Sequence, residues 1–392
     1  MTLDKPRAAV TVAGFCAFLD LYAPQVVMPQ LAESFHVSEA VAASTVGIST
    51  LAVAVSAPLV GLLTDKMRRK PVLLVAVLAL VLPTIMLVLA DSLREILIWR
   101  FFQGVFLPAI FSSTVAYISE EWPASEASGV TGYYIAGSAL GGFSGRFVTA
   151  LMTDHFGWKS GSLALTLVTL LCALMIWKWL PADNSRRVAQ ASHVSALEGL
   201  RRHLTDPALL ATYAVGFSVL FSMVATFTYV NFHLALPPFS MGVSALGMIF
   251  LVYPIGAFVT PASGYLIRRL GRRGTILLAL STSGAGLLAT LGPSLVEVVA
   301  GLAMFVTGVF VAQTSATGFV GQRAKMARTT AVGIYVCCYY LGGSAGAEIP
   351  GLTVWHIAGW PGCVALVLAV LASATSLAWW AWRPQPQLCL AE

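Results

Sequence analysis

Charge is what this sequence has least of. Asp, Glu, Lys and Arg make up 10% of the 392 residues, against roughly a quarter in an ordinary soluble domain. Hydrophobic residues make up 58%. Such a chain lacks the polar groups to cover a water-facing surface, so lipid is its solvent over most of its length. The ~10-residue alternating segments of a membrane barrel are absent too, which leaves helices as the spanning element. There is no Walker-type phosphate loop and no Cys/His cluster at metal-ligand spacing. These absences exclude ATP-driven work by this chain alone and give no sign of an enzyme, a bound metal or a cofactor. The six cysteines (Cys16, Cys172, Cys337, Cys338, Cys363, Cys389) lie in or near apolar runs and read as packing residues.

Apolar runs of about the ~20 residues that a spanning helix needs occur at 8–31, 41–63, 71–90, 94–117, 127–152, 160–180, 209–233, 241–267, 274–293, 295–321, 329–353 and 360–382. Twelve transmembrane helices are therefore expected, in an all-α membrane protein. Only Gly292, Pro293 and Ser294 separate the ninth run from the tenth. The first run is too long for a cleaved signal peptide: it continues through Pro24 to Met28 and contains Asp20.

The net charge of +6 is unevenly placed. If both termini are cytoplasmic, the inner loops collect nearly all Lys and Arg, among them Lys66, Arg68, Arg69, Lys70, Arg201, Arg202, Arg268, Arg269, Arg272 and Arg273. The outer loops keep Arg94 and Lys159. This is the positive-inside pattern. It argues against nucleic acid as a partner, because the charges sit in short loops beside spans.

The longest polar stretch divides the chain: an N-terminal six-helix bundle at 1–181, a cytoplasmic linker at 182–207 and a C-terminal six-helix bundle at 208–392 are expected. An amphipathic helix near 194–204 lying on the inner membrane surface, or a plain linker, would fit the middle piece. The halves resemble each other. Gly61-Leu-Leu-Thr-Asp65-Lys66-Met-Arg68-Arg69-Lys70 follows the second run, and Gly264-Tyr-Leu-Ile-Arg268-Arg269-Leu-Gly271-Arg272-Arg273 follows the eighth. Tyr134–Gly141 in the fifth run matches Tyr340–Ala347 in the eleventh, which sets Gly142 against Glu348. The offset of about 200 residues marks an internal repeat. An even number of spans per half makes the repeats parallel.

These motifs resemble those of the major facilitator superfamily, over essentially the whole chain. Gly61, Asp65, Lys66, Arg69 and Lys70 match the family's loop motif between spans two and three, with Arg68 where a second glycine is usual. The second copy keeps that glycine as Gly271 but has Arg268 in place of the acid. Arg100-Phe-Phe-Gln103-Gly104 resembles a motif of proton-coupled members. The glycines Gly137, Gly141 and Gly145 resemble the antiporter motif of span five, with Gly142 replacing its proline and Arg146 its last glycine. Together with Thr153–Trp158, that run is similar to the YnfM-type group in the drug:proton-antiporter-like branch. The resemblance implies the major facilitator fold, a loop motif (with Arg268 and Arg272 in its second copy) that latches one conformation, and a proton gradient as driving force. Read from the residues alone, the glycines at i, i+4 and i+8 make a smooth stripe for close helix approach. The loop charges can equally serve topology alone.

Four ionisable groups fall inside spans, where they are costly and mark function: Asp20, Arg100, Arg146 and Glu348. Asp20 lies ~12 residues into the first run, ~18 Å along a helix axis. The resemblance implies that spans one and four line a common cavity, so Asp20 is expected to carry the proton and Arg100 to tune it, unless the two form a fixed ion pair. Glu348 is either a second titrating site, a partner for a buried Arg, or a carboxyl at the outer mouth. Gln103, Tyr229, Asn231 and Tyr339 are candidate cavity residues in an apolar, aromatic setting that suits a small organic or amphipathic substrate; the same residues also suit helix packing. The expected function is proton-coupled efflux by alternating access, carried out by a monomer in the cell inner membrane. Symport of a nutrient and a non-transporting sensor are the alternatives.

Overall fold

The computed structural model describes residues 4–64, 67–183, 196–324, 326 and 328–382. Among these the regular structure is entirely helical. The first half holds α1 (Lys5–Leu19), α2 (Met28–Ser34), α3 (Glu39–Thr64), α4 (Arg69–Leu89), α5 (Leu93–Glu121), α6 (Ala124–Phe156) and α7 (Trp158–Trp179). Then come α8 (Ala196–Leu204), α9 (Pro207–Ala235), α10 (Val243–Ile249), α11 (Ile255–Ala289), α12 (Leu295–Arg323), α13 (Arg328–Thr353) and α14 (Trp355–Ala381). Seven of them, α3, α4, α5, α7, α9, α12 and α14, are long and apolar enough to cross a membrane by themselves. The short α8 falls where an amphipathic linker helix was expected.

Two of the expected spans are not continuous helices. In the first, α1 stops at Leu19, a 3-10 turn covers Ala23–Val26, and α2 resumes at Met28. In the eighth, α10 gives way to a 3-10 turn at Phe250–Val252 before α11. The cause is local: Pro24, Pro29 and Pro254 sit at or beside the helix starts, and proline has no N–H to give to the preceding turn. α11 also bends sharply at Gly271, whose φ of 67° is open to glycine and strained for other residues. In the first loop copy Arg68 occupies the corresponding place with φ −65° and ψ 134°. Exchanging glycine for arginine therefore changes the turn itself.

Glycines set the closest helix pairs. A Cβ on Gly137, Gly141 or Gly145 of α6 would lie 2.0, 2.0 and 1.8 Å from the carbonyl oxygens of Thr11, Phe15 and Leu19 in and at the end of α1. In the second half, Gly342 and Gly346 of α13 would lie 2.0 and 2.3 Å from the carbonyls of Phe217 and Phe221 in α9. Both halves thus use glycines at the same i, i+4 spacing to bring α6 against α1 and α13 against α9.

The halves meet at the end of the bundle away from the linker. Beside α3, a Cβ on Gly47 would come 2.7 Å from Glu348 Oε1, and Gly351 approaches Ala40. Gly247 of α10 packs on Ala150 of α6, and Ser244 donates to Asp154 at 2.8 Å. Toward the linker end, by contrast, the space beside Gly61 in α3, Gly129 and Gly132 in α6 and Gly333 in α13 is open.

At the linker end Asp206 caps α9, accepting from the Ala208 amide at 2.9 Å, and pairs with Arg323 at 2.9 Å. Burial pushes its carboxyl up, but hydrogen bonds from Arg323 and the Ala208 amide, with the Arg323 charge, outweigh this and hold it below the usual range. A depressed folded value makes its contribution complete above the unfolded value and lost as pH falls through the folded one. Asp206→Ala should therefore cost about 1 kcal/mol at neutral pH. The gap between the two melting curves should narrow as pH falls through the carboxyl's depressed folded value, which thermal denaturation of both proteins in detergent would check.

Candidate functional site

The break in the first span organises the interior of the first half. Asp20 is the residue after α1 and is 1% exposed. Its Oδ2 accepts from the Thr169 hydroxyl at 3.3 Å, and its Oδ1 has no partner. Where α1 ends, backbone carbonyls lose their helical N–H partners, and Arg100 supplies replacements. Its guanidinium donates to the carbonyls of Asp20 (2.8 Å), Leu21 and Thr45 (2.8 Å), and to Gln103 Oε1 at 2.6 Å. Gln103 in turn donates to Thr84 at 2.7 Å. Arg100 thus touches the backbone of Asp20, and no ion pair between their side chains occurs among the described residues. A cavity of ≈ 40 Å³ beside them is lined by Asp20, Arg100, Gln103, Thr84, Thr149 and Trp158 among others, enough for about two waters.

Arg146, also 1% exposed, sits between the two broken spans. From the first break, Gln25 Oε1 accepts from its Nε at 2.9 Å and its Nη2 at 2.7 Å, and the Tyr22 ring lies 4.9 Å from its guanidinium. From the second, Phe250 and Tyr253 stand 4.6 and 4.5 Å away, with a 3.4 Å bond to the Tyr253 hydroxyl. Its own helix supplies the Gly142 carbonyl at 2.5 Å. Gln25 Nε2 then donates to Thr228 in α9 at 3.1 Å, so this cluster joins the halves.

The remaining candidates scatter. Glu348 is half-buried against Gly47 at the meeting of the halves, away from the groups that hold Arg146. Tyr229 is buried and donates to the Ala347 carbonyl at 2.8 Å. Asn231 is buried, donates to Phe227 at 2.5 Å, and leaves its Oδ1 without a partner. Tyr339 is half-exposed in a run of rings: Phe18 stacks on Phe111 (5.2 Å), Phe111 on Tyr340 (6.2 Å), and Tyr339 meets Tyr340 (5.4 Å). That run crosses from the first half to the second.

Asp65 and Lys66 of the loop motif lie outside the described residues. Arg69 pairs with Glu120 at the end of α5 (2.8 Å), and its amide donates to Asp183. Lys70 donates to the carbonyls of Trp177 (3.0 Å) and Leu180. In the second copy Arg268 is exposed, and Arg272 donates to the Ser315 carbonyl at 3.0 Å. Glu120, Gln25, Tyr22, Thr228, Phe250 and Tyr253 were not legible as site residues. Pro24 and Pro254, which mark the two breaks, are the signal that points to them.

Comparison with known proteins fits this architecture. The Major Facilitator Superfamily profile matches residues 10–347. The inner membrane transport protein YnfM of Escherichia coli (strain K12) is 32% identical, covering 93% of this chain and 88% of that one. The MFS-type transporter YybF of Bacillus subtilis (strain 168) is 29% identical, covering 94% and 91%. A bacterial homolog of the human lysosomal transporter Spinster, solved inward-facing and unoccupied, shares the fold with a TM-score of 0.79 at 15% identity, covering 98% and 100%. The chain belongs to the Major Facilitator Superfamily: it is a multi-pass membrane protein that carries out secondary transport by alternating access, and not an enzyme.

Proposed function

We propose that the chain is a proton-coupled exporter of a small organic or amphipathic compound, with Asp20 as the proton-carrying group. The supporting observation is the setting of Asp20. Its carboxyl is buried, has one hydroxyl partner and one unpartnered oxygen, and abuts a cavity wide enough for water. A carboxylate held in a fixed ion pair would have no reason to exchange its proton, and none pairs with this one among the described residues.

The frame of this reading is twelve spans in two parallel six-helix repeats, 1–181 and 208–392, joined by a cytoplasmic linker at 182–207, and a monomer with both termini cytoplasmic. Basic loops support that orientation. With the linker inside, the halves meet on the outer side, and the open space beside Gly61, Gly129, Gly132 and Gly333 lies on the inner side. Return to the outward-open form would bring the loop motif, with Asp65, against the other half as a latch. The glycine motif in α6 favours export over uptake, and the Arg100–Gln103 motif favours proton coupling.

The test is transport in reconstituted vesicles, using a compound first found by thermal shift across dyes, sugars, amino acids and metallophores. In Asp20→Asn, proton-driven accumulation should fall about 5–150-fold, the usual span of a coupling free energy. Exchange without a gradient should persist. Undiminished proton-driven transport by this variant would refute the assignment. Substrate moving in the same direction as the proton would make the carrier a symporter.

A further inference from the structure

Among the described residues, Arg146 has no anion beside it. Arg146 is buried where the two halves meet, and no carboxylate forms an ion pair or hydrogen bond with it among the described residues. Leaving a charge so placed without a counter-ion costs several kcal/mol. The three rings around it, at 4.5–4.9 Å, offset part of that through their negative faces.

The way the guanidinium is held narrows what it is for. Nε and Nη2 converge on one oxygen, Oε1 of Gln25. Two parallel N–H groups are the fork that arginine offers to a carboxylate, which accepts them on two charged oxygens. An amide oxygen is a neutral and weaker substitute. The same amide bonds Thr228 of the other half through its Nε2. Gln25 therefore occupies the fork and bridges the halves at once. A carboxylate entering the fork would displace its oxygen and loosen the bridge. One turn from Arg146 toward the open end, Gly142 borders Phe18, the first ring of the run through Phe111 to Tyr340.

We infer that Arg146 is the anchor for an organic carboxylate with a flat, apolar body, and that Gln25 is the plug such an anion displaces. The inference rests on the carrier reading above and adds the charge of the substrate. Binding at the fork couples occupancy to opening, because the incoming anion competes with the Gln25 amide, which ties Arg146 to Thr228 of the other half. The differential affinity that this coupling needs comes from exchanging a neutral acceptor for a charged one.

The test compares three probes of one shape, benzoate, benzamide and benzylamine, as ligands of the purified protein, read by thermal unfolding in detergent at matched ionic strength. Benzoate should raise the melting temperature in a saturable way, and the neutral and cationic analogues should not. Gln25→Ala should bind benzoate several-fold more tightly, since the competitor is gone. Gln25→Glu should abolish the benzoate shift and melt higher than the parent without ligand, because its own carboxylate fills the fork. Arg146→Gln should lose the shift; should that variant not fold, the two Gln25 variants still decide. Equal shifts with benzamide or benzylamine, no shift with benzoate up to its solubility limit, or an unchanged benzoate shift in Gln25→Glu would overturn the inference. Proton-driven transport of a neutral compound, unaltered in Arg146→Gln, would overturn it and leave the carrier reading standing. Benzoate binding without any proton-linked flux would do the reverse.

Discussion

Arg100→Leu is expected to cut recovery of folded protein sharply and to lower its melting temperature. The substitution matches the apolar surroundings and removes a buried charge, so composition alone would favour it. The geometry says otherwise. The guanidinium serves the carbonyls of Asp20, Leu21 and Thr45 together with Gln103, and α1 ends where two of these lie. The Asp20 carbonyl keeps the Ala23 amide at 3.4 Å and the Thr45 carbonyl keeps the Ser49 hydroxyl at 3.3 Å, so the Leu21 carbonyl and Gln103 Oε1 carry the loss. Each buried acceptor left without a donor costs roughly 1–3 kcal/mol, so the two cost roughly 2–6 kcal/mol in sum. That is a large share of the roughly 5–15 kcal/mol of a typical folded domain. Arg100→Lys should recover part of the loss, since an ammonium brings three donors on a flexible stem but no planar fork. Fluorescence-detected gel filtration followed by thermal unfolding would rank the three proteins. A leucine variant that elutes and melts like the parent would mean that water in the adjoining cavity serves the carbonyls.

Gly145→Leu is expected to separate α6 from α1 and to eliminate transport. Even a Cβ at this position would stand 1.8 Å from the Leu19 carbonyl oxygen. Restoring an ordinary carbon–oxygen contact of about 3.3 Å requires a backbone shift of about 1.5 Å. The obstacle is backbone at the end of α1, so no side-chain rotation relieves it. The displacement falls between Asp20 and Arg146, which both depend on this contact. Gly142→Ala provides the control on the same helix, since its Cβ would meet only Arg146 Nη1 at 3.5 Å and Phe18 Cβ at 3.9 Å. It should express and melt close to the parent. Equal behaviour of the two variants in gel filtration and transport would show that the stripe is not a close contact.

The glycine stripe was legible because its i, i+4 spacing is a helix period, and close approach needs no information beyond that period. The four ionisable groups inside spans were legible for a similar reason: in an apolar run a charge stands out, whatever it touches. Their partners did not stand out. Gln25, Tyr22, Thr228, Phe250 and Tyr253 are ordinary membrane-helix residues until two helix breaks bring them around Arg146. Arg100 is the clearest case. The family resemblance set it facing Asp20 as a side-chain partner, and the break placed carbonyl oxygens under the guanidinium instead.

What the residues determined by themselves is the part governed by composition and period. A chain with 10% charge and apolar runs of about 20 residues must place helices in lipid. Its basic loops and its repeat then point to two related halves. The tertiary structure decided which groups face one another. It left the Arg146 cation held by an amide rather than an acid. These outcomes depend on helix breaks and on contacts between residues more than 100 positions apart. No local pattern encodes such distances, because packing in lipid is settled by backbone approach and by which polar groups the broken helices leave to be satisfied.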